Sequence, residues 1–467
     1  MREKLVSINK KKLLAFLLLL AITSVYYYSD TNSIIHFGID FWKALFSGRF
    51  FNLHSVFYES ELAGRAGASD GYGIIMTLLL AIWQFPLYII EHFAQVNVLD
   101  FFIARIWGKS YLLIILYMCA KEIEKISLVI TNGNTKQSIR AFWLFVFNPF
   151  TISSVCVIGQ ADIMGVWFSL LALRYLYNND KKHFYIYLIL ATSTKYFPLF
   201  CFIPIFLLYE KKIWKSVTLI LLPIAINYLC NLPFQLIDSR GFSKDNIEGI
   251  IGMVFGNTVA FANNDIPIII TLYGIVCIMA FITNPQNDED RITWSLWYLV
   301  LSGLSVFNLL CYPYRIVLLI PFVILLMARQ SATSQEYIIE TVATVSLALG
   351  MICSFFWCYD IERIQEMLVN TIVPLNKFEI NNLYSIISSI DYEYTTAPYS
   401  IFLACIVVLI IKLCPLYKRQ TIACDSSEKS DSIVLYVRNI LGVLLPCIAI
   451  CFYVFAFFEK VVLHFVS

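Results

Sequence analysis

The chain has 467 residues, of which 59% are hydrophobic, 16% aromatic and only 14% charged, with a formal net charge of +2. A soluble chain of this length carries about 115 charged residues, at roughly 25% of the total; here there are 34 basic and 32 acidic ones, and the mean hydropathy is +0.74. These totals exclude disorder, nucleic-acid binding and an ordinary soluble enzyme. The apolar residues fall in runs of roughly 15 to 25 separated by short polar breaks, the pattern of an all-α polytopic membrane protein.

Arg2, Lys4, Lys10, Lys11 and Lys12 precede the apolar run Leu13–Tyr28. No small-residue cleavage site follows, because Tyr26, Tyr27 and Tyr28 stand there, so the run reads as an uncleaved first helix. The positive-inside rule then puts the N-terminus in the cytoplasm and the segment after Tyr28 outside. Residues 29–71 form a first external loop too polar to span, and Phe37–Phe51 within it has the aromatic spacing of an interfacial helix. Tyr72–Ile90, with Pro86, and Phe101–Cys119 are the next apolar segments, followed by a basic, cytoplasmic loop at 121–140. Two full spans between 72 and 121 would carry that loop outside, so one of the two must be non-spanning or re-entrant.

Ala141–Ile158 and Ile163–Tyr177 are separated by Gly159-Gln160-Ala161-Asp162, which this topology places outside. Phe184–Tyr209 is interrupted at Thr194-Lys195-Tyr196-Phe197-Pro198 between two basic turns. Its halves are each about 12 residues, roughly 18 Å, too short to cross alone, and such a hairpin opens a cavity. Val217–Phe234, Ile266–Ile282, Trp294–Cys311, Ile316–Met327, Glu340–Trp357, Ser400–Leu413 and Ile433–Phe457 complete the series. The expectation is about 11 to 13 membrane segments. Residues 1–330 read as a catalytic membrane module; residues 331–467 read as C-terminal helices with an external loop at 358–397 and a cytoplasmic loop at 415–432. The thirteen cysteines are scattered with no C-x-x-C, and the five histidines form no H-E-x-x-H, so buried thiols are expected rather than a zinc or disulfide framework.

Charge inside a membrane segment is costly and usually lines a cavity. Four groups stand out, all able to reach the external side: Asp30 with Asn32 and Asp40, Gln160 with Asp162, Lys195, and Arg315. Each has a plainer alternative. Asp30 and Asn32 would mark a polar exit, Asp162 would cap the helix after it, Lys195 would snorkel, and Arg315 would anchor at the interface. Asp70 in Ala-Ser-Asp-Gly-Tyr reads as a turn residue. Together, carboxylates and cations on one face suit group transfer from a phosphorylated donor: a carboxylate deprotonates an acceptor, and cations hold the departing phosphate.

Phe147-Asn148-Pro149-Phe150, Gly159-Gln160-Ala161-Asp162 and Thr194-Lys195-Tyr196-Phe197-Pro198, in that order, resemble the multi-spanning glycosyltransferases that use polyprenyl-phosphate sugars. The resemblance is to the branch of bacterial polyprenyl-phosphate-mannose-dependent transferases and the mannosyltransferase of GPI-anchor synthesis, and it covers roughly residues 20 to 330. That family carries a catalytic acid, often as D-x-D, just after the first helix, where this chain has Asp30-Thr31-Asn32. Asp40 and the following Ala44-Leu45-Phe46-Ser47-Gly48-Arg49 correspond to its interfacial helix, and Tyr312-Pro313-Tyr314-Arg315 resembles its H-P-Y-R element with Tyr for His. Two departures stand out: Asn32 replaces the second acid, which argues against a metal held by that pair, and the aromatic-Pro-Pro element of the second helix is absent.

The resemblance implies a C-type glycosyltransferase fold and an inverting transfer of a hexose from a polyprenyl-phosphate donor to a glycan or glycolipid hydroxyl. The reaction would take place on the extracytoplasmic face of a plasma membrane and need no cofactor. Asp30 would be the general base, and Lys195 and Arg315 would bind the donor phosphate. Asn32, Asp40, Gln160, Asp162 and Tyr312 would bind sugar or acceptor. No P-loop or Rossmann glycine fingerprint is present, as a non-nucleotide donor requires. The rival classes are a flippase or transporter, which predicts paired broken helices, and a polymerase of lipid-linked polysaccharide, which predicts Arg and His in a late external loop; loop 358–397 has Arg363 and no His.

Overall fold

The computed structural model describes residues 2–26, 29–64, 73–238, 255–256, 258–261, 264–310, 313–354, 392–417 and 427–448. Apart from one antiparallel hairpin (β1, Thr258–Phe261; β2, Asn264–Pro267), every regular element among them is helical.

Helix α1 (Arg2–Val25) is followed by α2 (Ser29–Phe46), which lies at 96° to it. The helix expected at Phe37–Phe51 therefore starts eight residues earlier, and Asp30 occupies its first turn. The reason is local: an acidic side chain favours the free N–H groups of a helix N-terminus, and the helix buries two sides, Ile34, Phe37 and Phe41 in the main core and Ile35 and Ile39 in a second apolar cluster. A 3₁₀ turn (Phe50–Asn52) and α3 (Leu53–Leu62) follow. The Ser55 N–H and hydroxyl both donate to Asp238, at 2.8 and 2.6 Å.

Helix α4 (Ile74–Ala94) precedes α5 (Phe102–Ile130), which runs antiparallel to α1. Lys12 meets Glu124 at 3.0 Å at one end of this pair, and Lys109 reaches the Thr23 and Tyr26 carbonyls at the other. The end holding Tyr26, Asp30 and Lys109 is the site end. The supposed loop 121–140 is a continuation of α5 as far as Ile130, because its charges pair along the helix, Lys121 with Glu124 at 2.5 Å and Lys125 with Glu122 at 2.7 Å. The loop shrinks to the turn at 131–134.

Helix α4 is tied to α11 (Ile213–Ile237), α2 and α5. Its first N–H, on Ile74, donates to Asn231 of α11, near the end of α11 where Asp238 caps α3. Its middle lies along α2, with the Trp42 indole donating to the Ala81 carbonyl at 2.7 Å, and beside the start of α5, where Trp83 and Trp107 stack and exchange indole-to-carbonyl hydrogen bonds. Its last residues lead within eight positions into α5. Helix α5 makes the passage from the site end to the opposite end.

The chain then returns through α6 (Thr135–Val146), α7 (Pro149–Ile152) and a π-helical turn (Ser153–Ile158). Helix α8 (Ile163–Tyr177) has the predicted bounds, and α9 (Lys181–Thr194) and α10 (Phe197–Tyr209) meet at Lys195 as the spacing predicts. After α11 and the hairpin come α12 (Ile268–Ile282), α13 (Asp288–Leu310), a 3₁₀ turn (Pro313–Leu318), α14 (Ile320–Arg329), α15 (Ser334–Ser354), α16 (Tyr392–Lys412) and α17 (Ser427–Leu444). At the opposite end Arg329 donates to the Ile130 carbonyl and pairs with Glu289, and Lys211 donates to the carbonyls of Ala280, Phe281 and Thr283.

Among the described residues, three helices are long and apolar enough to cross a membrane singly: α4, α11 and α15. Counting two bent pairs (α1 with α2, and α6 with the segment to Ile158) as single spans gives up to five. By length and composition this falls below the expected 11 to 13. Shorter apolar helices of 10 to 17 residues, among them α8, α10 and α12, accompany the longer ones. The architecture fits an all-α membrane protein.

Candidate functional site

The site is assembled from four breaks between helices. The first is the Asn148-Pro149 kink. The Asn148 carboxamide oxygen accepts from the N–H groups of Phe150 and Thr151, at 3.1 and 3.0 Å, and Pro149 fits the first helical position, where no N–H is needed. The π-helical turn that follows ends at Gly159, whose φ of 78° and ψ of 40° lie in the left-handed region that favours glycine. Chain reversal there delivers Gln160 and Asp162, both buried, to the site end.

Asp162 stands at the start of α8 but makes no side-chain cap hydrogen bond. Its carboxylate instead faces Arg315, with Nε–Oδ2 at 3.7 Å. Arg315 comes from the second break, the 3₁₀ turn after α13, which the Ser154 hydroxyl ties to the π turn by donating to the Tyr314 carbonyl at 2.9 Å. The guanidinium lies over the rings of Phe197 and Tyr314, 5.3 and 5.8 Å from their centroids.

The third break, between α1 and α2, supplies Asp30. Its Oδ2 accepts from the Gln160 carboxamide at 2.7 Å. Because α2 lies across the bundle end, Asp30 is outside the spanning helices, yet protein covers most of it. Burial pushes its carboxyl above the ordinary carboxylate range; the Gln160 hydrogen bond pulls it back, Asp162 pushes it up, and the charges of Lys195 and Arg315 pull it down. Lys195 comes from the fourth break, in extended backbone between α9 and α10, half-buried. The structure therefore gathers Asp30, Gln160, Asp162, Lys195 and Arg315 in one place from residues 30 to 315.

Other expected residues fall elsewhere. Asp40 is buried ten residues further along α2, 3.5 Å from Lys43, which in turn binds Glu91 at 2.6 Å; burial pushes the Asp40 carboxyl up to about 6. Asn32 is half-buried on α2, two positions from Asp30. Helical residues two apart do not share a face, so this D-x-N does not present both side chains to one ion. Among the described residues no three His, Cys, Asp or Glu gather as metal ligands. Tyr312 and Asp70 lie outside the described residues, as do residues 358–391.

Sequence reasoning missed Lys109, Tyr111 and Thr31. The signal for Lys109 was present, a lysine inside the apolar run of α5. Thr31 Oγ1, the Tyr111 hydroxyl and both Asp162 oxygens are buried with no hydrogen-bond partner among the described residues. Tyr111 lies within electrostatic reach of Asp162. Such groups are costly unless something pairs with them, and a polyhydroxylated ligand carries the matching donors and acceptors.

No protein-family model, curated protein or solved structure matches this chain.

Proposed function

We propose that the protein is a membrane glycosyltransferase that moves a hexose from a polyprenyl-phosphate carrier to a hydroxyl of a glycan or glycolipid at the extracytoplasmic face. The observation that carries this reading is the convergence on Asp30 of one carboxamide, one second carboxylate and two cations from distant parts of the chain. In the proposed step the acceptor oxygen attacks C1 of the hexose from the side opposite the phosphate. Asp30 takes the hydroxyl proton as the C1–O bond to phosphate breaks, and polyprenyl phosphate leaves with the bonding pair. Gln160 occupies one oxygen of Asp30 and holds the carboxylate plane, leaving Oδ1 for the acceptor. Lys195 and Arg315 balance the charge on the departing phosphate. Asp162 holds Arg315 and, with Thr31 and Tyr111, offers hydrogen bonds to sugar hydroxyls.

Membranes expressing the wild type, Asp30→Asn and Lys195→Ala, supplied with radiolabelled polyprenyl-phosphate hexose, test the reading. Wild-type membranes consume the donor. Asp30→Asn falls at least tens-fold at normal protein level, and Lys195→Ala raises the donor KM. No donor consumption by wild type beyond control membranes would favour a transporter instead.

A further inference from the structure

Lys109 is 1% exposed on α5, and its ammonium donates to four main-chain carbonyls: Thr23 at 3.1 Å, Tyr26 at 2.8 Å, Cys156 at 3.1 Å and Val157 at 3.5 Å. Two of these carbonyls end α1, four to seven residues before Asp30. The other two end the π turn, three and four residues before Gln160. The last carbonyls of a helix have no partner within it and carry the negative end of its dipole, so a single buried cation can satisfy both ends at once. The cover of this arrangement is equally close. A Cβ on Gly159 would stand 3.4 Å from Lys109 Cε and 3.2 Å from Thr31 Oγ1, so the reversal before Gln160 rests directly on the lysine stem and on the residue after Asp30.

We propose that Lys109 is a positioning residue that sets the Asp30–Gln160 pair by clamping the two chain ends that carry it. This deepens the glycosyltransferase reading and rests on it for its kinetic consequences. No contact with donor or acceptor is required of Lys109; it acts through the two backbones. Lysine suits the task because its ammonium is a compact point charge with three protons that can be shared among closely spaced carbonyls, whereas a guanidinium is a planar fork of larger span.

The test uses the purified full chain in detergent, with each variant's folded, monodisperse fraction quantified before assay. Lys109→Met is expected to lose at least about tenfold in kcat with donor KM within about twofold, since displacing a reacting group by an ångström is costly while uniform binding persists. Gly159→Ala disturbs the same clamp without removing the charge and is expected to show the same split. A second readout needs no donor. In an Asp30→Cys/Gln160→Cys background, a short bifunctional thiosulfonate cross-links the two positions, and adding Lys109→Met is expected to cut the cross-linking rate in the folded fraction at least fivefold. Wild-type kcat per folded molecule in Lys109→Met, or an unchanged cross-linking rate, would overturn the proposal. If wild type itself consumes no donor while the cross-linking rate falls as expected, the transfer reading fails and the clamp stands.

Discussion

Asp30 is suited to act as a base only above its own pKa, which burial raises and the Gln160 carboxamide lowers. The acid limb of kcat/KM for the proposed transfer is therefore expected above the ordinary aspartate value of about 3.9. Gln160→Leu removes a hydrogen bond to the ionised form, so the limb should move to still higher pH; a limb that stays put or moves down in the pH–rate profile would deny the pair a shared role. At this scale much of the site was legible, because Asp30, Gln160, Asp162, Lys195 and Arg315 are polar residues set between apolar runs. Lys109 was less legible, since a lone lysine within an apolar run gives no hint that its partners are carbonyls from two distant helix ends. For Asp162 the plainer alternative, a helix cap, is the one set aside: its carboxylate turns to Arg315.

Among elements, the layer of α2, α4 and the start of α5 sets where Asp30 sits. Gly38 of α2 faces Gln84 so closely that a Cβ would stand 2.6 Å from the Gln84 side chain, and a methyl group on Gly108 of α5 would overlap Ile35. Gly108→Ala is therefore expected to destabilise the protein by about 1–3 kcal/mol through overpacking, read as a lowered thermal midpoint of the purified protein, and Gly108→Ala/Ile35→Ala should recover part of the loss. An unchanged midpoint in Gly108→Ala would mean that the helices have room to part. Composition alone does not separate the sides of α4: it is apolar enough to cross a membrane, and residues buried against protein look the same in sequence as residues facing lipid. By contrast, the break at Lys195 was readable because Thr194 to Pro198 interrupts the pattern in both polarity and backbone chemistry.

Across the whole molecule, the late helices reach the site through Asn148. Arg438 of α17 donates from Nε and Nη2 to the two oxygens of Glu340 on α15, each at 2.6 Å, and the Asn148 carboxamide donates to the same carboxylate at 3.3 Å. The Arg438 and Glu340 side chains are 0% and 2% exposed, so the pair is fully removed from solvent. Arg438→Met alone leaves a buried carboxylate without its cation and should cost about 3–5 kcal/mol. Glu340→Leu/Arg438→Met removes both charges and should be close to wild type in a denaturation series; a double variant as unstable as the single would contradict the pairing. This link was not legible, since its members lie 192 and 98 residues apart in sequence.

In the proposed transfer Asp30 accepts the proton of an acceptor hydroxyl as a lipid-phosphate sugar bond breaks. The most direct measurement is the release of polyprenyl phosphate from a synthetic polyprenyl-phosphate hexose by purified wild type and Asp30→Asn in proteoliposomes, with an extracted lipid fraction as acceptor. Release with matching glycosylation of the acceptor is expected of wild type, and a loss of at least about tens-fold of Asp30→Asn with donor binding retained. Equal turnover by the two proteins would contradict that role of Asp30.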